Sequence, residues 1–253
     1  MNNTTLNKLP LSFKALGLML AMGVMPMEAT AQESTQSSAQ SQTQATLTDR
    51  QAGIVTISAF AAMGDLEGLK GALNTAFSNG LTVNDAKEVL VQLYAYAGFP
   101  RSLNALSTLM SVVEERKKEG LPVIEGNPPS KSIPKGDELL EKGTEVQTAL
   151  VGQPVAGPLF DFVPVANEYL QTHLFGDIFA RDNLSWMDRE IATVSMLSAI
   201  TGAESQRVSH INMSLNSGVS EAQLNAVIKV LGEQVNKTTA DNTQKALDTF
   251  KDA

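Results

Sequence analysis

One helix opening occurs twice in this chain. Thr48-Asp49-Arg50-Gln51 leads into the apolar run Ile54 to Met63, and Met187-Asp188-Arg189-Glu190 leads into Ile191 to Ile200. The parallel continues downstream. Val208 to Asn216 mirrors the segment from Leu66 to Ser78. Ser217-Gly218-Val219-Ser220 mirrors Asn79-Gly80-Leu81-Thr82, and Ala222 to Leu231 mirrors the helix that Thr82 opens. A one-residue difference in length falls in the break between the first two helices. This pattern commits the chain to helices, read as two tandem, diverged copies of one helical unit. Two unrelated helical hairpins are the alternative reading.

Punctuation places the helices of the first unit. Thr48 is a capping residue with Gln51 at the capping-box position. Gly64-Asp65 breaks the first helix. The second runs from Leu66 to Ser78, with Leu69, Leu73, Ala76 and Phe77 on one stripe, and stops at Asn79-Gly80. Thr82, with Asp85 as box acid, starts a third that continues to Ala97 and ends at Gly98. Pro100 starts a fourth, which closes on Arg116, Lys117 and Lys118. Residues 48–118 form the first repeat and residues 159–253 the second. Between them, residues 119–158 are rich in Pro and Gly and read as a connector, with a short helix around Glu138 to Glu141. A connector of that length wraps a partner segment or covers a site. Leu159 to Asn183 is the most aromatic stretch, expected to pack against the other copy or another subunit. Gly232 to Ala253 reads as a surface helix.

The ends and the charge bound the setting. Lys8 and Lys14, the apolar run Ala15 to Met27 and the small-residue site Ala29-Thr30-Ala31 read as a secretory signal peptide over residues 1–31. An uncleaved anchor is the alternative. Residues 32–47, mostly Gln, Ser, Thr and Ala, read as a disordered leader. The expected location is the periplasm or outside the cell, with no stable membrane insertion after cleavage. A formal net charge of -8 without a basic patch argues against nucleic acid as a partner. The chain has no cysteine, so it forms no disulfides and carries no thiol chemistry of its own.

Few residues are placed to do chemistry. His210, one of two histidines, lies on a helix with Val208, Ile211 and Leu215 nearby. It is a candidate acid or base, or a histidine satisfied by a neighbour. Glu88, Gln92 and Tyr96 step by four along a mostly apolar helix. A carboxylate there must be paired or face a pocket, and burial would raise its pKa toward proton transfer. Arg50 and Arg189 open equivalent helices, as ion-pair partners or as anchors for an anionic substrate. Trp186 is core or pocket wall. His173 precedes a Gly turn and is a further candidate. The two histidines lie far apart, and no metal or cofactor site is read.

Leu174-Phe175-Gly176-Asp177-Ile178-Phe179-Ala180-Arg181, then Leu184-Ser185-Trp186-Met187-Asp188-Arg189-Glu190, resembles the carboxymuconolactone decarboxylase family. So do His210 with Leu215-Asn216 and Gly218-Val219-Ser220, and Glu88 to Pro100 in the first half. The resemblance covers most of residues 48–231. It implies an all-α fold of the alkylhydroperoxidase-like type, assembled as a homo-oligomer with sites near subunit or repeat contacts. The peroxidase branch of that superfamily carries Cys-x-x-Cys-x-x-x-His, whose cysteine places fall on Ala203 and Gln206 and whose histidine falls on His210. A thiol-dependent peroxidase is therefore disfavoured. The decarboxylase branch implies cofactor-free proton transfer on a small anionic lactone. The first copy has Ala72 at the place of His210, and the second reads Val230-Leu231-Gly232-Glu233-Gln234 where the first has Tyr-Ala-Gly-x-Pro. The resulting expectation is a lyase or isomerase for a small carboxylate or lactone. His210 and Glu88 would share a composite pocket with Gln92, Tyr96, Arg50, Arg189, Trp186 and His173 around them. The alternatives are a non-catalytic small-ligand-binding protein and an oligomeric scaffold.

Overall fold

The computed structural model describes residues 46–253; the expected signal peptide and all but the end of the expected leader lie outside them. Those residues form helices, with no strand among them. In chain order these are α1 (Asp49–Met63), α2 (Leu66–Ser78), α3 (Val83–Gln92), α4 (Tyr94–Lys118) and α5 (Asp137–Val151). Then come α6 (Pro158–Phe162), α7 (Pro164–Tyr169), a π-helical segment (Leu170–Phe179), α8 (Trp186–Ser198), α9 (Glu204–Asn216), α10 (Glu221–Gln234) and α11 (Lys237–Lys251). Among these residues no helix is long and apolar enough to cross a membrane.

The caps are where the sequence puts them. The hydroxyls of Thr48, Thr82 and Ser220 accept the third backbone N–H of α1, α3 and α10, and Gln51, Asp85 and Gln223 reach back to close each box. Gly98 breaks α4 near its start, with φ at 80°, so the expected Gly98–Pro100 boundary survives as a kink. α1 and α8 are buried nearly all round and pack against each other at the centre. α2 lies on α1 and α9 on α8, while α10 and α11 pair beside them. The principal core runs through all of these, from Ile54, Ile57 and Leu73 to Ile191, Leu224 and Leu247. α11 is not merely superficial: Thr239, Ala240, Thr243, Ala246 and Leu247 are buried.

The connector departs from expectation in one respect. Its first part is irregular and serves α3, where Ile124 and Glu125 carbonyls accept the Val83 and Asn84 amides at 2.9 Å. These amides begin a helix and have no partner within it. Its second part is a 15-residue helix, α5, rather than a single turn. Between Gly136 and Gly152 there is no proline, and only Gly143 interrupts the helical run. That glycine is a packing residue. A Cβ at Gly143 would lie 1.7 Å from the Gln171 carbonyl oxygen, and one at Gly176 would lie 2.7 Å from Leu139 Cδ1. The two glycines let α5 and the π segment cross at close range. Behind the crossing Val146, Leu150, Leu174, Phe175, Ile178, Phe179 and Met213 form a second core cluster.

This contact predicts opposite signs for one chemical change. Gly143→Ala should destabilise by about 1–3 kcal/mol, because a backbone oxygen cannot step aside. Gly71→Ala, mid-helix with open space around it, should stabilise by up to about 1 kcal/mol through helix propensity. Urea melts of the two variants check this; equal effects would remove the close-crossing account.

Candidate active site

Two clusters of buried polar groups lie where the halves meet. The first holds the helix openings together. Arg50 grips Asp85 with Nε and Nη2 at 3.0 and 2.7 Å, and its Nη1 donates to Asp188 at 2.8 Å. Gln51 Nε2 donates to the other oxygen of Asp188 at 3.0 Å. Burial pushes the Asp85 carboxyl up, but Arg50 and the Thr82 donors outweigh it and hold it below its usual range. Arg50 itself is held above its usual value by Asp85 and Asp188, against the pull of burial.

The second centres on Glu88. Arg181 donates to it twice, from Nε at 2.9 Å and Nη2 at 2.7 Å, and Arg189 Nη2 donates at 3.0 Å. Arg189 is wholly buried. Its Nη1 donates to Gln92 Oε1 at 3.2 Å, while its Nε has no hydrogen-bond partner. Gln92 Nε2 in turn donates to the Arg189 carbonyl at 2.9 Å and to Thr193 Oγ1 at 2.8 Å. Burial alone would raise the Glu88 pKa, as expected from the sequence. The two guanidiniums reverse the sign and hold it below the ordinary range. Glu88 is thus held as a carboxylate by two guanidiniums.

Both lowered carboxyls make stability depend on pH in one direction. A group whose pKa is depressed on folding stabilises the fold above its unfolded value and loses that contribution as pH falls through the folded one. The effect of Glu88 and Asp85 is therefore complete above their ordinary values of 4.5 and 3.8 and disappears below them. The melting midpoint should fall steeply on that acid side, and Glu88→Gln should show a shallower acid limb. An unchanged slope would contradict this.

His210 is placed elsewhere. Its Nδ1 lies 2.8 Å from Glu190 Oε2, so the acid that meets it comes from its own half and not from Glu88. Glu190 is wholly buried, and its Oε1 has no hydrogen-bond partner. The Tyr96 ring stands edge-on to the imidazole, with centroids 5.6 Å apart at 81°. Its hydroxyl is hydrogen-bonded to Thr193 Oγ1 at 3.3 Å, and burial, then the nearby Glu190 charge, raises its pKa far above the usual value.

His210 lines a half-open cavity of about 480 Å³ bounded by α5, the π segment, α9 and the end of α11. Leu170, Leu174 and Phe175 line it from the π segment, where positions four and five apart share a face. Gln147, Gln206, Ser209 and Asn212 supply its polar lining. Ala72, set by the sequence against His210, lines a different cavity of about 370 Å³ beside Gly68, Gly71 and Thr75.

Of the residues singled out from the sequence, His210 lines the cavity and Tyr96 touches its ring. Glu88, Gln92 and Arg189 form the buried network, and Arg50 forms the inter-half ion pair. Trp186 Nε1 caps the Phe179 carbonyl at 2.9 Å. His173, half-exposed, pairs with Asp177 at 2.8 Å and leans on Tyr94. Glu190 and Gln206 had not been read as site residues. Glu190 carried a signal: a carboxylate opening a helix buried on every side must find a partner.

Residues 164–240, which contain Glu190, Gln206 and His210, match the profile of the carboxymuconolactone decarboxylase family. A search of curated proteins gives no match.

Proposed function

From the match of residues 164–240 to the carboxymuconolactone decarboxylase family, whose fold is all-α and alkylhydroperoxidase-like, we propose that the chain is a cofactor-free lyase or isomerase. It works by proton transfer beside a carbonyl. The observation that carries this reading is the His210–Glu190 pair at the wall of a cavity. A buried carboxylate at Nδ1 fixes the imidazole tautomer and orientation, which leaves Nε2 as the working base. In the first step a C–H bond next to the carbonyl breaks. The proton goes to Nε2, and the electron pair spreads onto the carbonyl oxygen. In the second step the imidazolium returns that proton to another carbon of the enolate framework, so that one C–H bond breaks, one forms and the carbonyl is restored.

The developing oxygen charge needs a donor. Gln206 stands one turn before His210, and residues four apart share a helix face. Its Oε1 accepts from Ser205 Oγ at 3.1 Å, which leaves its amide N–H groups for the substrate. The place that holds a thiol in the peroxidase branch thus holds an oxyanion donor here. The test is proton exchange in heavy water, followed by NMR across a panel of small lactones and ketones. Exchange that depends on His210 supports the reading. Exchange that is equally fast without it removes the reading.

The protein also works as a homo-oligomer in this proposal. Phe99, Leu103 and Met110 are each more than half exposed along one side of α4. Leu159, Phe162 and Tyr169 are similarly exposed around α6 and α7. Strips of this kind mark protein contacts. The signal peptide read over residues 1–31 supports export of the assembly. Leu103→Glu with Met110→Lys should shift sedimentation toward monomer while helix content stays constant. Unchanged sedimentation would remove α4 from the contact.

A further inference from the structure

The cavity's charge specifies the substrate class more narrowly, given the proton-transfer reading of the same site. His210 is the only ionisable residue among those lining it. Any positive charge on its imidazole is already matched by the Glu190 carboxylate 2.8 Å away. The arginines that might have served an anion are committed elsewhere. Arg50 holds Asp85 and Asp188, while Arg181 and Arg189 hold Glu88. Arg207 follows Gln206 on α9 but turns to the Leu197 and Ile200 carbonyls that end α8. An anion entering this cavity would lose water and gain no cation. The remaining lining is mostly aliphatic and aromatic, with amide and hydroxyl groups suited to one carbonyl.

We infer that the cavity takes a neutral, largely apolar lactone or ketone and excludes substrates with a free carboxylate. This departs from the anionic lactone that the family resemblance implied. The probes are γ-phenyl-γ-butyrolactone and its counterpart with a carboxylate at the para position of the ring. Binding is measured by calorimetry and α-proton exchange by NMR, on the same intact protein. The neutral lactone should half-saturate at a concentration lower by at least about tenfold, since an unpaired buried carboxylate is costly. Ser209→Arg sets a cation on an exposed part of the lining and should narrow or reverse that gap. A carboxylated lactone that binds as well as the neutral one overturns the substrate class and leaves proton transfer standing. Preferential binding of the neutral lactone without exchange overturns proton transfer and leaves the class standing. Failure of both lactones to bind overturns the class as well.

Discussion

Glu88→Ala should lower the unfolding free energy by about 3–5 kcal/mol, the largest effect of any single substitution considered. The reason is what remains after the carboxylate is gone. Arg181 is one-third exposed and can take up water, whereas Arg189 has no exposure at all. Its guanidinium would keep its charge beside the Gln92 amide and the Arg181 carbonyl, with no counter-ion. Burial already pulls the Arg189 pKa below its usual value while Glu88 is present. Globular proteins have only about 5–15 kcal/mol in total, so this loss would leave a marginal fold. Replacing both charges, Glu88→Leu with Arg189→Met, should recover much of the loss, because the penalty belongs to the orphaned ion and not to the pair. Urea denaturation of the single and double variants measures both. A double variant no more stable than the single would contradict the argument.

His210→Gln should slow proton exchange by about 10²–10⁴-fold with little change in melting temperature. Glutamine still offers an N–H to Glu190, so the buried carboxylate keeps a partner. What it lacks is a nitrogen that accepts and returns a proton near neutral pH. His210→Ala removes both features, and should lose stability as well as rate because Glu190 is then unpaired. The difference between the two variants separates the chemical role from the structural one. A His210→Gln protein with full exchange would exclude the imidazole from the reaction.

The parts of this molecule legible in its sequence are those set by local rules. Thr48 with Gln51 and Thr82 with Asp85 mark helix starts through contacts three residues apart. Gly98 marks the kink because its backbone conformation suits a residue without Cβ. What escaped were distances across the chain. Whether Glu88 is a poised acid or a fixed anion depends on Arg181 and Arg189, 93 and 101 positions away. Neither its burial nor its helix face carries that information. α5 was underestimated because the Pro and Gly residues before it coloured the reading of the whole connector. Gly143 inside it is the contact that lets the π segment approach. The role of Glu190 was within reach of the sequence, since a fully buried helix opening can host a carboxylate only beside a partner. The choice between His210 and an arginine as that partner required the fold.

In the proposed mechanism the working acid–base pair is His210 with Glu190, and Glu88 belongs to the framework. The most direct measurement is the α-proton exchange rate per folded molecule in Glu190→Gln and Glu88→Gln, with the folded fraction taken from melting curves. A loss of at least about 10²-fold is expected in Glu190→Gln, where the imidazole loses the carboxylate that orients it, and a near wild-type rate in Glu88→Gln. A Glu88→Gln protein that is folded and inert, beside an active Glu190→Gln protein, would contradict this mechanism.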